Sequence, residues 1–394
     1  MTKNFYSIKL IIKGMKGACK MAEQILFGKC VAEGSGYDVG RGYAEQLRLN
    51  GLLREINLVA EDREVTGEAL RERQRLLYAV CPGIEAEVAG VCDGLKVRPG
   101  RLSVFQEYVA CAGRCSQIAA LPPITADGHL YLGRSYEFGY KDELCLCVTR
   151  RDDLPAQAGF SLMLFGRMDG MNDRGLCVTM SSCAFRQQPE GYGVWFPILL
   201  RALLDRCATV GEASDLLREL PIRANDNLLL ADAGGHARIA ELFSSQTEKR
   251  LNLIDGEEFL VATNHYQSEA MRPYDNHRGR HSVRRWKTAR QTLLQNRGGV
   301  TEERMKELLE RRMPDGVSCP YYEDGLGTLR SMVFDVTAGR LQVCYGMPCR
   351  ENWEEITLED PCENRVFQVT VENEYAGNPQ EFWKMLPPGD LDEK

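Results

Sequence analysis

The spacing of hydrophobic positions changes near residue 115 of this 394-residue chain. Before that point, Leu and Ile recur at three- and four-residue intervals among charged residues, which is typical of amphipathic helices. A glycine-rich stretch at residues 34–42 opens this region, and Pro82-Gly83 interrupts it. The pattern predicts helices at residues 48–59, 67–78 and 84–92, so the segment 22–114 is predicted to be mainly helical.

Beyond residue 115, short apolar or alternating runs are bounded by turn residues, which favours β-strands. Strands are predicted at residues 115–120, 130–136, 144–149, 162–165, 176–181, 227–232, 237–242, 259–263, 332–335 and 341–345. Helical patterns interrupt them as two pairs, at residues 196–207 and 210–217 and at residues 282–294 and 302–312. Strands alternating with paired helices predict an α+β fold in which helices cover the outer faces of sheets.

Composition and charge exclude several classes of protein. The content of 44% hydrophobic and 27% charged residues is that of a globular protein. The formal net charge of −7 provides no basic surface for nucleic acid. No apolar run approaches the roughly 18 residues of a membrane span.

The first residues make a poor secretion signal, because lysines interrupt their apolar positions. We therefore expect a cytoplasmic protein. We also expect Met21 to be the natural start and residues 1–20 to be extraneous and poorly ordered. A peptide from residues 1–20 in protein from the native host would contradict this.

The chain has 15 cysteines, and in a cytoplasmic protein buried free thiols are the expected state for most of them. Cys111 and Cys115 are four residues apart, but no Cys/His pair follows at the spacing of a zinc site. We therefore expect neither a structural metal nor a disulfide framework.

Cys115 differs from the other cysteines because it opens a predicted strand-turn-strand unit. Arg134 and Glu137 lie on the returning strand. A thiol becomes a nucleophile when its pKa is lowered or a base lies beside it. If the chain were cut before Cys115, the freed α-amino group could be that base. Cys111 is the rival candidate, but the strand pattern begins only after Cys115.

Several segments, taken together and in order, resemble the acyl-CoA:6-aminopenicillanate (isopenicillin N) acyltransferase-like family of cysteine N-terminal nucleophile (Ntn) hydrolases. Singly, each segment is a weak signal. The matching segments are residues 115–116, 132–137, 170–176, 262–265, 282–285, 328–331 and 346–349, and residues 37–42 and 82–90 resemble the propeptide of the family.

The resemblance implies a four-layer αββα sandwich made as a zymogen. Residues 1–114 would be the leader, with a mainly helical part from residue 22, and residues 115–394 the catalytic domain. Autocatalytic cleavage between Arg114 and Cys115 would release the nucleophile. The mature enzyme would hydrolyse a linear amide, or transfer its acyl group, through a thioester on Cys115.

The resemblance also implies roles for polar residues near the thiol. Arg134 would favour the thiolate and grip a substrate carboxylate, and Glu137 would orient the α-amino group. Asn264 would donate to the oxyanion of the tetrahedral intermediate, and Ser182 would be a second polar group there.

Substrate contacts are predicted on a helix and on two loops. Arg284 is expected to anchor the substrate, whereas Arg285 is assigned to a solvated face of the same helix. Tyr192 and Trp195 suggest a partly aromatic pocket formed by residues 185–195 and 266–280. The expected partners are a small N-acyl amide or acyl donor and the chain's own leader, and a homo-oligomer is left open. No cofactor is expected, although acyl-CoA could serve as substrate.

One departure from the family and two alternative functions remain open. Relatives commonly have glycine where this chain has Arg114, and glycine tolerates a strained scissile bond, so cleavage could be slow or absent. The first alternative is an uncut thiol hydrolase whose base is His265, His129 or His281. The second is a non-catalytic binding protein that retains the fold.

Overall fold

The computed structural model describes residues 22–49, 58–60, 63–106, 114–139, 142–184, 187–275, 278–359, 363–374, 378 and 383–386. Within these ranges the protein has a mixed α+β fold of seven α-helices and two large β-sheets. Residues 1–20 and Cys111 lie outside the described residues, so the predictions made for them stay predictions.

The larger sheet has ten strands, and its main path runs in the order β11-β10-β9-β8-β7-β5-β4-β1-β18, with β6 pairing to β5. The strands are β1 (Ala22–Gly34), β4 (Cys145–Arg151), β5 (Gln157–Leu162), β6 (Gly166–Arg167), β7 (Asp169–Asn172), β8 (Leu176–Ser182), β9 (Asp226–Asp232), β10 (Ala237–Ser244), β11 (Lys249–Asp255) and β18 (Arg365–Glu372).

The smaller sheet has seven strands, and its main path runs in the order β12-β2-β3-β15-β16-β17, with β14 pairing to β15. Its strands are β2 (Arg114–Ala120), β3 (Tyr131–Phe138), β12 (Phe259–Ala262), β14 (Pro320–Tyr321), β15 (Leu326–Asp335), β16 (Arg340–Tyr345) and β17 (Trp353–Thr357). A separate two-stranded pair joins β13 (Arg278–Gly279) to β19 (Met385–Leu386).

The helices begin at recognisable local signals. They are α1 (Gly36–Leu49), α2 (Gly67–Val80), α3 (Ile84–Leu95), α4 (Phe196–Arg206), α5 (Val210–Glu219), α6 (Arg280–Gln295) and α7 (Glu302–Glu310). At α5, Thr209 and Glu212 form a capping box, and at α7 the Thr301 side chain accepts from the third residue of the helix. Pro197 occupies the first turn of α4, where its missing N–H has no helical partner to lose.

The two sheets pack against each other through β2 and β8, and the helices divide between them. Helices α1, α4 and α5 contact the larger sheet, whereas α6 and α7 contact the smaller one. Side chains along β2 point alternately to the two faces of the smaller sheet. Cys115 and Ala119 therefore belong to the core between the sheets, whereas Ile118 and Ala120 belong to the core beneath α6 and α7.

The segment predicted as a mainly helical leader begins with a long strand. β1 pairs in parallel with β4 and antiparallel with β18, so it lies inside the larger sheet rather than outside it. Its inward positions include Ile25 and Phe27, which are buried. Sequence analysis missed this strand, although Ile25-Leu26-Phe27 is a short apolar run of the kind that buried strands have.

The helical part of this segment is held by close contacts and buried charge. Gly40 of α1 and Gly90 of α3 let the two helices touch, since a β-carbon would lie 2.1 Å from the Glu87 carbonyl oxygen or 2.2 Å from that of Tyr37. The Glu87 carboxylate accepts from Arg151 of β4 at 2.9 Å and from Arg201 of α4 at 2.6 Å. Burial alone would raise the pKa of Glu87, but these two arginines outweigh it and lower the pKa.

Most of the predicted strands and helices are present, with a few differences. Of the strand predicted at residues 162–165, only Leu162 belongs to a strand, because Met163 and Leu164 turn the chain with positive φ angles. The strands that were not predicted, besides β1 and all of β5 but Leu162, are β6, β7, β11, β13, β14, β17, β18 and β19. The helix predicted at residues 48–59 falls largely outside the described residues, and Val59 forms a β-bridge with Leu102. Among the described helices, none has the length and apolar character to cross a bilayer.

Candidate active site

Cys115 is the second residue of β2 and is fully buried. Strand β2 lies between β12 and β3 in the smaller sheet, but β12 pairs only with Gln117–Ala120, so at Cys115 the strand is paired on the β3 side alone. On the same face of β2, the Gln117 side chain donates to Ser181 Oγ at 2.7 Å and accepts from Thr179 Oγ1 at 2.6 Å. Because both partners are on β8, the thiol of Cys115 faces the interior between the two sheets.

Asn264 and Arg285 converge on the main chain of Cys115. The Cys115 N–H donates to Asn264 Oδ1 at 2.9 Å. Arg285 Nη1 donates to the Cys115 carbonyl oxygen at 2.7 Å and to Ser116 Oγ at 2.8 Å, while its Nη2 donates to Asn264 Oδ1 at 2.8 Å. The nitrogen and the carbonyl of the predicted nucleophile are therefore both held by side chains from distant parts of the chain.

Arg134 lies on the thiol's face of the sheet. It is opposite Gln117 in the β2–β3 register, and directly opposed residues of an antiparallel pair share a face. Its Nε is 3.5 Å from Asp169 Oδ2, a carboxylate that also accepts from Arg330 at 3.1 Å. The Arg134 guanidinium also interacts with the Cys115 thiol, both as a positive charge and as a hydrogen-bond donor, so it would stabilise an anion formed there.

The electrostatic balance at the thiol has opposing contributions. Burial raises the pKa of Cys115, the positive charge of Arg134 opposes the rise, the negative charge of Glu137 adds to it, and Arg285 again opposes it. The pKa remains raised overall, so in the uncut chain Cys115 is a neutral thiol that needs a base.

Glu137 lies on the opposite face from the thiol, across the register from Arg114. Its Oε1 accepts from Ser135 and, at 3.4 Å, from Thr328, and its Oε2 is 3.7 Å from Arg285 Nη1. Burial raises the pKa of Glu137 to about 7, although Arg285, the Ser135 hydroxyl and Arg134 all lower it. Glu137 thus lies beside the peptide bond whose cleavage would create the α-amino group, as its predicted role requires, but that role is not tested by the position alone.

The Asn264 amide is engaged at both ends. Oδ1 accepts from Cys115 and Arg285, and Nδ2 donates to the Ser182 carbonyl oxygen at 3.0 Å. In this conformation Asn264 positions the nitrogen of Cys115, and its assignment as an oxyanion donor stays a prediction. Ser182 is adjacent, as predicted, but its hydroxyl hydrogen-bonds to Asp226.

The structure corrects the choice between Arg284 and Arg285. Arg284 is exposed, whereas Arg285 is fully buried against Cys115, so the assignment of Arg285 to a solvated face is wrong. Arg285 Nη2 also donates to His281 Nδ1 at 3.2 Å, one helical turn earlier. The signal was present in the sequence, because residues four apart share a helix face and His281 and Arg285 have that spacing.

The histidines do not form a pair with Cys115 in the described contacts. The Nδ1 of His265 is 2.8 Å from Ser282 Oγ and 3.1 Å from Thr263 Oγ1, and burial lowers its pKa to about 3. His129 hydrogen-bonds to Asp335 at 3.0 Å. His281 is connected to Cys115 only through Arg285.

Tyr192 and Trp195 line a cavity of about 220 Å³ rather than the surroundings of Cys115. The walls combine residues of the predicted leader, such as Arg73 and Leu77, with this loop. Tyr192 is 58% exposed. The predicted role of both aromatic residues in substrate binding therefore stays a prediction.

Arg114 adopts an ordinary strand conformation. It pairs with Glu137 in β2, and it is not among the described non-glycine residues with positive φ. The backbone at this position therefore shows none of the left-handed strain for which glycine is needed. The Arg114 side chain donates to the Gly325 carbonyl oxygen at 2.7 Å, and its guanidinium carbon lies 4.3 Å from the ring centroid of Trp383.

Comparison with known families and structures adds one strong match. The acyl-coenzyme A:6-aminopenicillanic acid acyl-transferase family matches residues 126–350, which are 225 of the 394 residues. The matched region includes Arg134, Glu137, Ser182, Asn264 and Arg285, and it begins after Cys115. No curated protein sequence matches the chain.

Solved structures show a weaker likeness. A variant of the conjugated bile acid hydrolase from Clostridium perfringens has a TM-score of 0.44 and 11% identity, covering 65% of this chain and 97% of its own. A second variant has a TM-score of 0.45 and 12% identity, covering 67% and 99%. Penicillin V acylase from Agrobacterium tumefaciens has a TM-score of 0.40 and 16% identity, covering 62% and 86%.

Proposed function

The chain belongs to the acyl-coenzyme A:6-aminopenicillanic acid acyl-transferase family, and on that premise we propose that it is a self-processing cysteine Ntn hydrolase or acyltransferase. Its substrate is a linear amide or an acyl donor such as acyl-CoA. Cys115 forms the thioester, and the catalytic domain is a four-layer αββα sandwich. The chemistry needs no cofactor.

The observation that carries this proposal is the convergence of Asn264 and Arg285 on the main chain of Cys115. Because β12 pairs with β2 only from Gln117 onward, the main chain of Cys115 meets polar side chains rather than a strand on that side. Here a buried amide and a buried guanidinium hold the nitrogen and the carbonyl, while Arg134 lies on the thiol's side. This arrangement suits a nitrogen that becomes a free base beside its own thiol.

The proposed self-processing begins at the carbonyl of Arg114, the residue that directly precedes the thiol in the chain. The Cys115 sulfur adds to that carbonyl carbon, the Arg114–Cys115 C–N bond breaks, and the nitrogen takes the thiol proton. The Arg114 acyl group is then a thioester on Cys115. Water hydrolyses this thioester, which releases the Arg114 carboxylate and restores the thiol at a new N-terminus.

In the cut enzyme the α-amino group of Cys115 acts as the general base. Asn264 Oδ1 already accepts from this nitrogen at 2.9 Å, and the same contact orients an amine whose lone pair faces the thiol. Arg134 supports the proposal further, since its buried guanidinium interacts with the thiol and stabilises a thiolate or oxyanion in a water-excluded site.

The leader stays bound after cleavage in this proposal. Strand β1 is hydrogen-bonded on both sides within the larger sheet, and Glu87 forms buried ion pairs with Arg151 and Arg201 beyond the cleavage site. Removing the leader would expose the edges of β4 and β18 and leave two buried arginines without their shared carboxylate. The mature enzyme is therefore a complex of two chains.

The test is the intact mass under denaturing conditions of the purified protein, of Cys115→Ala and of the control Cys147→Ala. Cys147 is also fully buried but lies in β4. Two fragments that separate between Arg114 and Cys115 are expected in the wild type and the control, and one full-length chain in Cys115→Ala. Native size-exclusion chromatography should keep the two fragments together.

Two other outcomes favour the alternatives. A full-length chain in all three proteins, with hydrolysis that depends on His265, would identify an uncut thiol hydrolase. A full-length chain with a Cys115 that resists acylating probes would identify a non-catalytic protein.

A further inference from the structure

The side chain of Arg114 occupies a defined site at the proposed cleavage point. Its guanidinium lies over the Trp383 indole at 4.3 Å, in the range of a cation–π contact, and donates to the Gly325 carbonyl oxygen at 2.7 Å. Burial and the positive charge of Arg285 lower the pKa of Arg114 to about 10, and the negative charge of Asp324 opposes them in favour of the cation. An aromatic face, a carbonyl and a carboxylate together are a typical set of ligands for an organic cation.

This site is built by separate segments and adjoins the catalytic cluster. Trp383 precedes β19, whose pairing with β13 is reinforced by the bond from the Arg280 N–H to the Lys384 carbonyl oxygen at 2.9 Å. The Trp383 ring also contacts the His281 ring edge-on at 5.1 Å. His281 in turn accepts from Arg285, which holds Cys115.

The order of events in self-processing indicates which part of a later substrate this site could bind. In the proposed function, the first acyl group that Cys115 carries is that of Arg114. The side chain of that acyl group is the one seated on Trp383 and Gly325. After hydrolysis Arg114 becomes the carboxyl end of the leader, and the same site can receive the side chain of a substrate acyl group.

We infer that the mature enzyme prefers linear amides whose acyl group carries a guanidinium or ammonium cation, with Trp383, Gly325 and Asp324 forming the subsite for that cation. This inference rests on the proposed function. The thiol adds to the substrate carbonyl, the amide C–N bond breaks, and the leaving amine takes the proton. Water then hydrolyses the thioester to the free acid and restores the thiol.

The test compares two substrates of matched shape on the processed wild-type protein. Nα-acetyl-L-arginine 4-methylcoumaryl-7-amide carries the cation, and the citrulline analogue replaces it with a neutral group of nearly the same size. We expect kcat/KM to be at least about tenfold higher for the arginine substrate, because a desolvated cation–π contact and a carboxylate both favour it. Trp383→Leu and Asp324→Asn should each lower this ratio toward one.

A control variant and a mass measurement separate the outcomes. Trp353→Leu removes a tryptophan that contacts Glu310 instead, and it should keep the wild-type ratio. A cut protein that hydrolyses the two substrates equally, or hydrolyses neither, would overturn the cation subsite and leave self-processing intact. A ratio unchanged in both Trp383→Leu and Asp324→Asn would do the same. An uncut chain would overturn this inference and the proposed function together.

Discussion

A cluster of three fully buried cysteines in the larger sheet and the fully buried Cys115 in the smaller sheet have different surroundings. In the larger sheet, Cys145 Sγ lies 3.3 Å from Cys30 Sγ and 4.0 Å from Cys147 Sγ, so the thiols contact one another. In the smaller sheet, Cys115 is surrounded by Asn264, Arg285 and Arg134. Among the described contacts of these four cysteines, polar side chains hold the backbone of Cys115 alone.

Thiol acidity alone would select Cys147 rather than the proposed nucleophile Cys115. The Cys145 thiol donates to Cys147, which lowers the pKa of Cys147 to about 7, and Arg167 lowers it further against the effect of burial. Cys115 has a raised pKa in the uncut chain. Yet Cys147 lies in the middle of the larger sheet, paired to Cys30 of β1, with no positioned nitrogen that cleavage could free. A nucleophile needs a base and a reachable carbonyl as well as acidity.

The largest predicted difference between the two regions is in stability, and it is expected from a substitution of Asp169. Its carboxylate lies between Arg134 and Arg330, and all three side chains are fully buried. Asp169→Asn leaves two buried guanidinium groups uncompensated, so the free energy of unfolding should fall by about 3–5 kcal/mol. Cys147→Ala should cost only about 1 kcal/mol, as is common for single substitutions. Urea denaturation measures both, and equal losses would contradict the contrast.

The next effect is a pH dependence that arises at Glu137. Burial raises its pKa to about 7 from a reference of 4.5, despite the lowering by Arg285, Ser135 and Arg134. Because the folded state holds this proton more tightly, the stabilisation is complete below about pH 4.5 and is lost as the pH rises through about 7. The difference between a pKa of 4.5 in the unfolded chain and about 7 in the folded protein corresponds to about 3 kcal/mol.

Glu137→Gln, which mimics the protonated form, should therefore flatten the decline of unfolding free energy between pH 4.5 and 7. Asp226→Asn is the matched comparison, since burial also raises the pKa of Asp226 to about 7. The slope of the unfolding free energy against pH reports how many protons are released on unfolding. Each substitution should lower that number by about one, and the double variant should lower it by about two. An unchanged slope in Glu137→Gln would show that this carboxyl group is charged throughout.

A slightly smaller effect is expected from the two adjacent arginines of α6. Arg285→Gln removes the groups that hold the Cys115 carbonyl and Asn264, and self-processing should slow about 100-fold, the scale seen when one positioned donor is lost. Arg285→Lys should not restore the rate, because an ammonium group cannot reproduce the two planar Nη groups that donate to Cys115 and Asn264 at the same time. Exposed Arg284→Gln is the control and should change the rate less than twofold. Fragment masses over time measure the rates, with circular dichroism to check folding.

The smallest effect is expected at the cavity near Tyr192. This side chain is 58% exposed and lies with Trp195 away from the Cys115 cluster. Tyr192→Ala should leave the rate of self-processing within about twofold of wild type, as is usual for exposed positions. A tenfold loss, measured in the same fragment assay, would mean that the cavity and the nucleophile act as one site.

Much of the architecture could be predicted from local pattern. The strand at Cys115, the return strand with Arg134, the helix pairs and the family all follow from short-range features of the chain. Alternation and three-to-four-residue spacing report burial within one element, and turn residues mark its ends.

The sequence by itself therefore determined many of the strands and helices beyond residue 115, and which residue types stand near Cys115 along the motifs. Only the tertiary structure decided that β1 enters the larger sheet beside β4, that Arg285 rather than Arg284 meets Cys115, and that Trp383 covers Arg114. The physical reason is the range of the interactions. Hydrophobic periodicity indicates which side of a helix or strand is buried. Contacts between residues hundreds of positions apart depend instead on how whole helices and strands pack together.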